Sequence, residues 1–96
     1  MLQVKVTGLR QFDTDVQRQV DNLIERVSDD IVVVARANTP IRLGKARNGW
    51  KKKRLTKAVV IENRVIYIDK LEQGSSKQAP VGIIGPTLNE ITRRKY

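Results

Sequence analysis

The sequence predicts an α+β fold: one long α-helix packed on a small antiparallel β-sheet, a long basic loop between them, and a short C-terminal helix. Three observations carry this. Leu2 to Val6 alternates apolar and polar residues, the pattern of a half-buried strand. Phe12, Val16, Val20, Leu23, Val27, Ile31 and Val34 recur at intervals of four and three, which is one stripe of an α-helix. Ala58–Asn63 and Arg64–Ile68 are both rich in β-branched residues and read as strands. At 96 residues there is room for a single domain, 1–96.

In chain order, Thr7-Gly8 ends the first strand. The long helix begins between Arg10 and Thr14, where Thr14-x-x-Gln17 fits a capping box and Asp13 and Asp15 suit the positive end of the helix dipole. Ile24, Val32, Val33 and Ala35 widen the stripe towards its C-terminal end. Asn38-Thr39-Pro40 stops it, because the residue before a proline is driven out of the α region. A helix of roughly 24 residues measures about 36 Å, long for so small a domain, so part of its surface is expected to meet another subunit. Leu43–Asn48 suits a single helical turn, and Trp50–Leu55 is ambiguous. Glu62-Asn63-Arg64 is expected to form a tight hairpin turn, since Asn tolerates left-handed φ. Asp69–Gln73 suits a helical turn closed by Gly74, where positive φ or a close backbone approach is expected. The last helix runs either from Pro80 to Arg94 or only from Pro86 to Arg94, with Pro86 at its first position.

Charge is distributed unevenly. Arg42, Lys45, Arg47, Lys51, Lys52, Lys53, Arg54 and Lys57 are eight cations in a stretch without an acid, in a chain of net charge +9. The pI of about 10.4 points to a polyanionic neighbour. This stretch is expected to extend from the core as a loop, because like charges do not pack without acids to pair them. Trp50 beside it is expected to be a core or interface anchor, since four aromatics in the whole chain cannot build a base-stacking platform. Glu72 is expected to be paired with an arginine of the same or a neighbouring subunit.

Catalysis fails on inventory. Histidine and cysteine are both absent, which removes the usual activated nucleophile, the commonest general base and any disulfide. The same absence leaves no strong metal site, and no cofactor is expected. Gly82-x-x-Gly85 follows no strand and is assigned to turn geometry instead of phosphate binding. The longest apolar run, Ile31–Ala35, is too short to span a bilayer, and Met1–Val6 lacks signal-peptide character, so neither membrane insertion nor secretion is expected.

Two segments resemble a family. Ala37-Asn-Thr-Pro40, followed by Gly44-Lys-Ala-Arg47, is similar to a motif in which a helix ends in Ala-x-x-Pro before Gly-x-Leu-Arg. Tyr67-Ile-Asp-Lys-Leu71-Glu72-Gln-Gly74-Ser75, with Ala79-Pro80-Val-Gly82 after it, is similar to Tyr-x-x-x-(apolar)-Glu-x-Gly-(Ser/Thr) followed by Ala-Pro-x-Gly. Val6-Thr-Gly8-Leu9 before the helix also fits. Together they resemble the head–tail joining and tail-completion proteins of tailed bacteriophages, including minor tail protein Z-like members. The chain departs from the pattern at Arg42, Leu43, Ala46 and Ile68.

That resemblance implies a structural, non-catalytic virion protein: a ring-forming neck subunit, commonly hexameric, made in the bacterial cytoplasm and placed at the head-proximal end of the tail. Its implied partners are further copies of itself, adjacent connector or tail-terminator and tail-tube rings, and the genomic DNA in the axial channel, touched without sequence preference. The eight cations are then expected to face that DNA or a neighbouring ring. A small basic nucleic-acid-binding module is the alternative. A toxin-like or ribonuclease-like enzyme is a third reading, disfavoured by the residue inventory.

Overall fold

Asp13 starts the long helix. Its side chain accepts the backbone N–H of Val16 at 3.0 Å, so the cap sits one residue before the expected capping box. In the computed structural model, which describes residues 1–8, 13–40, 44–55, 58–74, 79–94 and 96, this helix, α1, spans Thr14–Asn38. Leu9–Phe12, including the first residue of the stripe, lie outside the described residues. Thr39 caps the C-terminal end in extended conformation immediately before Pro40, as expected from the proline.

The chain is α+β, with a three-stranded antiparallel sheet. Strands β1 (Leu2–Thr7), β2 (Trp50–Arg54) and β3 (Ala58–Asn63) lie in the order β1-β3-β2. Two pairings of the expected architecture are corrected. The basic segment is not a loop throughout: Trp50–Arg54 is an edge strand paired with β3. The expected hairpin between Ala58–Asn63 and Arg64–Ile68 does not form; β3 pairs instead with β2 and β1, and Ile68 opens a short helix, α3 (Ile68–Glu72). Asn63 explains the difference. It is fully buried at the end of β3 in an ordinary backbone conformation, so it makes no left-handed turn.

Two further helices complete the chain, α2 (Gly44–Arg47) and α4 (Ile84–Arg93). The second of the two C-terminal alternatives is the nearer one. The helix starts two residues before Pro86, which occupies the first turn, where its missing N–H is not needed.

Register divides the sheet cleanly. Leu2, Val4 and Val6 lie opposite Asn63, Ile61 and Val59, and these lie opposite Trp50, Lys52 and Arg54 on the other side; this face meets α1. The core joins Ile31, Val34 and Ala35 of α1 to Trp50, Val59 and Ile61 of the sheet and to Ile68, Leu71, Ile83 and Ile91. The N-terminal half of the apolar stripe is not core. Val20 and Val27 are half-buried, while Val16 and Leu23 are 39% and 37% exposed. Length is the reason. Twenty-five helical residues span about 37 Å, whereas strands of five or six residues span about 20 Å. The helix outruns the sheet near Gly8, where an added β-carbon would lie 2.8 Å from Ile24 and 3.1 Å from Val20.

Candidate functional site

The basic segment is sorted by the pleat of β2. Alternate residues of a strand point to opposite faces, so Lys52 and Arg54 turn towards α1 while Lys51 and Lys53 turn outward. Lys52 Nζ donates to Asp29 Oδ1 at 2.6 Å and to Glu25 Oε2 at 2.7 Å, and Arg54 is paired with the other oxygen of Glu25. Asp29 and Glu25 stand one helical turn apart on α1 and meet two cations two residues apart on the strand. These hydrogen bonds, Asp29's first and Glu25's next, raise the Lys52 ammonium above its usual 10.5. The expectation that all eight cations avoid the core is therefore corrected for these two: the acids that pair them lie more than twenty residues upstream.

The other cations separate by role. Arg47 is not free surface charge either; its Nε donates to the backbone carbonyl of Arg36 at 2.9 Å and so caps the C-terminal turn of α1, where a cation also complements the helix dipole. Lys45, Lys51 and Lys53 are exposed. Arg42 and Lys57 lie outside the described residues.

Trp50 is buried within the chain's own core at 1% exposure. Its Nε1 donates to Thr39 Oγ1 at 2.8 Å, and the Thr39 hydroxyl donates in turn to the Ala35 carbonyl at 2.7 Å. This relay fastens the start of the basic strand to the end of α1. No indole surface remains to anchor a partner, so the interface role expected for Trp50 is replaced by an intramolecular one. Asn63, opposite Trp50 in register, donates to the Ala46 carbonyl at 2.7 Å and accepts the Val65 N–H at 3.0 Å. Gly49 allows this approach: a β-carbon there would lie 2.7 Å from Val65 and 2.8 Å from Asn63.

The segment from Tyr67 to Gly82 folds around Glu72. Its Oε1 accepts the backbone N–H of Ile83 at 2.8 Å and of Ile84 at 3.0 Å. Ile83 is the N-cap of α4 and has no capping side chain of its own, so the carboxylate supplied by α3 satisfies those donors and complements the helix dipole. Among the described residues of this copy no arginine pairs with Glu72; its partners are backbone N–H groups. Gly74 has φ of 85°, as its turn requires, and a β-carbon there would collide with the Pro80 carbonyl. Gly82 has φ of 86° and sits against the Glu72 carboxylate and carbonyl. Both glycine turns are legible in the sequence; this cap is not. The spacing of Glu72 eleven residues before an uncapped helix start was the available signal.

Two shallow clefts flank these features. One, of about 320 Å³, runs between the C-terminal turn of α1 and Ala79–Gly82. The other, of about 250 Å³, is lined by Lys45, Gly49, Lys51, Glu62, Arg64, Val65 and the exposed Ile66, with Arg64 bonded to Glu62 at 3.2 Å. Among the described residues no group of three or more acidic, histidine or cysteine side chains is placed to hold a metal ion, and no helix is long and apolar enough to cross a membrane. No family model, curated protein or solved structure matches this chain.

Proposed function

We propose that this chain is a structural subunit that assembles with copies of itself into a ring, as a head–tail connector or tail-completion protein in the neck of a tailed bacteriophage. The observation that carries the reading is the helix that outruns its sheet. Val27 packs on the core, but the stripe continues beyond it through Leu23 and Val20 to Val16, and Val16 and Leu23 reach solvent in the single copy. A stripe of this kind gains stability by covering. A second support is that the residues carrying the family resemblance each have a job: Pro40 ends α1, Glu72 caps α4, and Gly74 and Gly82 adopt left-handed turns. A heterologous contact between one copy's helix and a different surface of the next closes into a ring when its rotation permits. The partners in this reading are a homo-oligomer, commonly hexameric, and the neck or tail rings above and below it.

Mass in solution tests the reading. Native mass spectrometry and light scattering at moderate salt should give a multiple of the 10.9 kDa chain that grows in with concentration. A monomer at every concentration contradicts it.

A further inference from the structure

The sheet has a second face, and its charge is not balanced. On the helix side, Lys52 and Arg54 are met by Glu25 and Asp29. On the open side the register places Lys53 and Lys5 on either flank of Val60, and Lys51 opposite Glu62. Lys5, Lys51 and Lys53 are exposed, and among the described residues none has a carboxylate within ion-pairing distance. Glu62, the only carboxylate the strands turn to this side, is bonded to Arg64. Lys45 is exposed too and borders the cleft that Lys51 lines.

We propose that this open face, centred on Lys5, Lys51 and Lys53, binds the phosphate backbone of duplex nucleic acid without reading its sequence. Lys51 and Lys53 are two residues apart on one strand, about 6.7 Å, and Lys5 lies two strand spacings from Lys53, about 10 Å. Three flexible point charges over such a patch meet phosphate oxygens without demanding a fixed geometry. Val60 and Ala58, between the lysines, are only 7% and 6% exposed, and the accessible apolar side chains nearby stand singly at opposite ends of the face, Leu55 beyond Arg54 and Ile66 in the cleft that Lys51 lines. A protein partner needs a desolvated apolar or aromatic anchor, and a membrane surface takes an apolar wedge; among the lysines at the centre of this face there is neither. Phosphate contact needs only the charge. The inference rests on the charges of a single copy and does not require the ring.

Fluorescence anisotropy with short labelled duplexes of two unrelated sequences tests it, beside thermal melts of every variant. Three phosphate contacts predict about a forty-fold loss of affinity between about 50 and 200 mM salt, equal for both sequences. Lys5→Gln/Lys51→Gln/Lys53→Gln should abolish most of that binding and its salt dependence. Lys52→Gln/Arg54→Gln, which removes as much of the segment's charge from the helix side, should keep both. Lys53→Gln alone should lower the log–log salt slope by about 0.9, a readout that survives if the triple variant fails to fold. The proposal is overturned if the outward variants bind like the parent, or if the helix-side variant loses as much. It is overturned equally if one sequence is strongly preferred, or if phosphatidylserine vesicles are bound under conditions where duplex is not. A folded parent that binds no duplex at low salt also overturns it, and leaves these lysines as guards against edge-to-edge strand pairing.

Discussion

The Glu72 carboxylate accepts the backbone N–H of Ile83 at 2.8 Å, and through that bond α3 holds the start of α4. Ile83 itself is fully buried and Ile91 nearly so, so the bond positions a helix that closes one end of the core. Glu72→Ala leaves the two donors of Ile83 and Ile84 without their acceptor and should cost about 1–3 kcal/mol. Glu72→Gln keeps an acceptor and should cost less. Thermal melts give the order, and faster hydrogen exchange at Ile83 and Ile84 locates the effect.

The two left-handed glycines that frame this cap are expected to resist any side chain. Gly74→Ala and Gly82→Ala each combine positive φ with a backbone collision, and each should destabilise by about 1–3 kcal/mol. Gly85→Ala is the contrast. Gly85 lies in the first turn of α4 with open space around it, so alanine there should be neutral or stabilising by up to about 1 kcal/mol. Denaturant midpoints of the three variants check this.

Trp50→Phe keeps most of the buried volume and removes the donor to Thr39, for an expected loss of about 1–2 kcal/mol. Trp50→Ala empties the site and should cost about 3–5 kcal/mol, comparable with the whole stability of a domain this small. In the parent protein the single tryptophan should fluoresce as a buried indole and shift to the red on unfolding, since the indole is 1% exposed.

Alkaline pH should weaken the fold. Lys52 is raised above its usual 10.5 by hydrogen bonds to Asp29 and Glu25, and Tyr96 is raised above 10.0, by desolvation first and by its 2.7 Å bond to Asp30 next. Both groups hold their protons more tightly in the folded chain than in the unfolded one. Their contribution is therefore complete below pH 10.0 and is lost as pH rises through the raised values. The melting temperature should fall across that window. Lys52→Met and Tyr96→Phe should each flatten the decline, and salt should reduce it because both sites are partly exposed.

Much of the fold is legible in the residues that repeat or break a pattern. The long helix follows from its apolar spacing and from Pro40, and the first strand from the alternation of Leu2 to Val6. Gly74 is legible because a glycine closing a helical turn has few other uses. What escapes is set by contacts distant in sequence. Trp50–Arg54 carries no β-branched residue, and it becomes a strand because Trp50 is buried beneath Thr39 while Lys52 and Arg54 meet Asp29 and Glu25 of α1. Val65 and Tyr67 have strand-like propensity, but Asn63 binds the Val65 N–H and turns the chain towards α3 before a second strand can form. The basic run looks uniform along the sequence, and only the pleat divides the four cations of β2 into a neutralised pair, Lys52 and Arg54, and an open pair, Lys51 and Lys53.

Leu23 gives the most direct test of the account. Its side chain lies in the apolar stripe yet is 37% exposed in the single copy, so it is not core, and the proposed ring places it at an interface between copies. Sedimentation velocity of Leu23→Glu, read beside its circular dichroism melt, separates these roles. With Leu23 at an interface in the proposed ring, the variant should melt cooperatively within about 1 kcal/mol of the parent and sediment as a monomer at concentrations where the parent assembles. A variant that is unfolded, or one that is folded and assembles as the parent does, contradicts it.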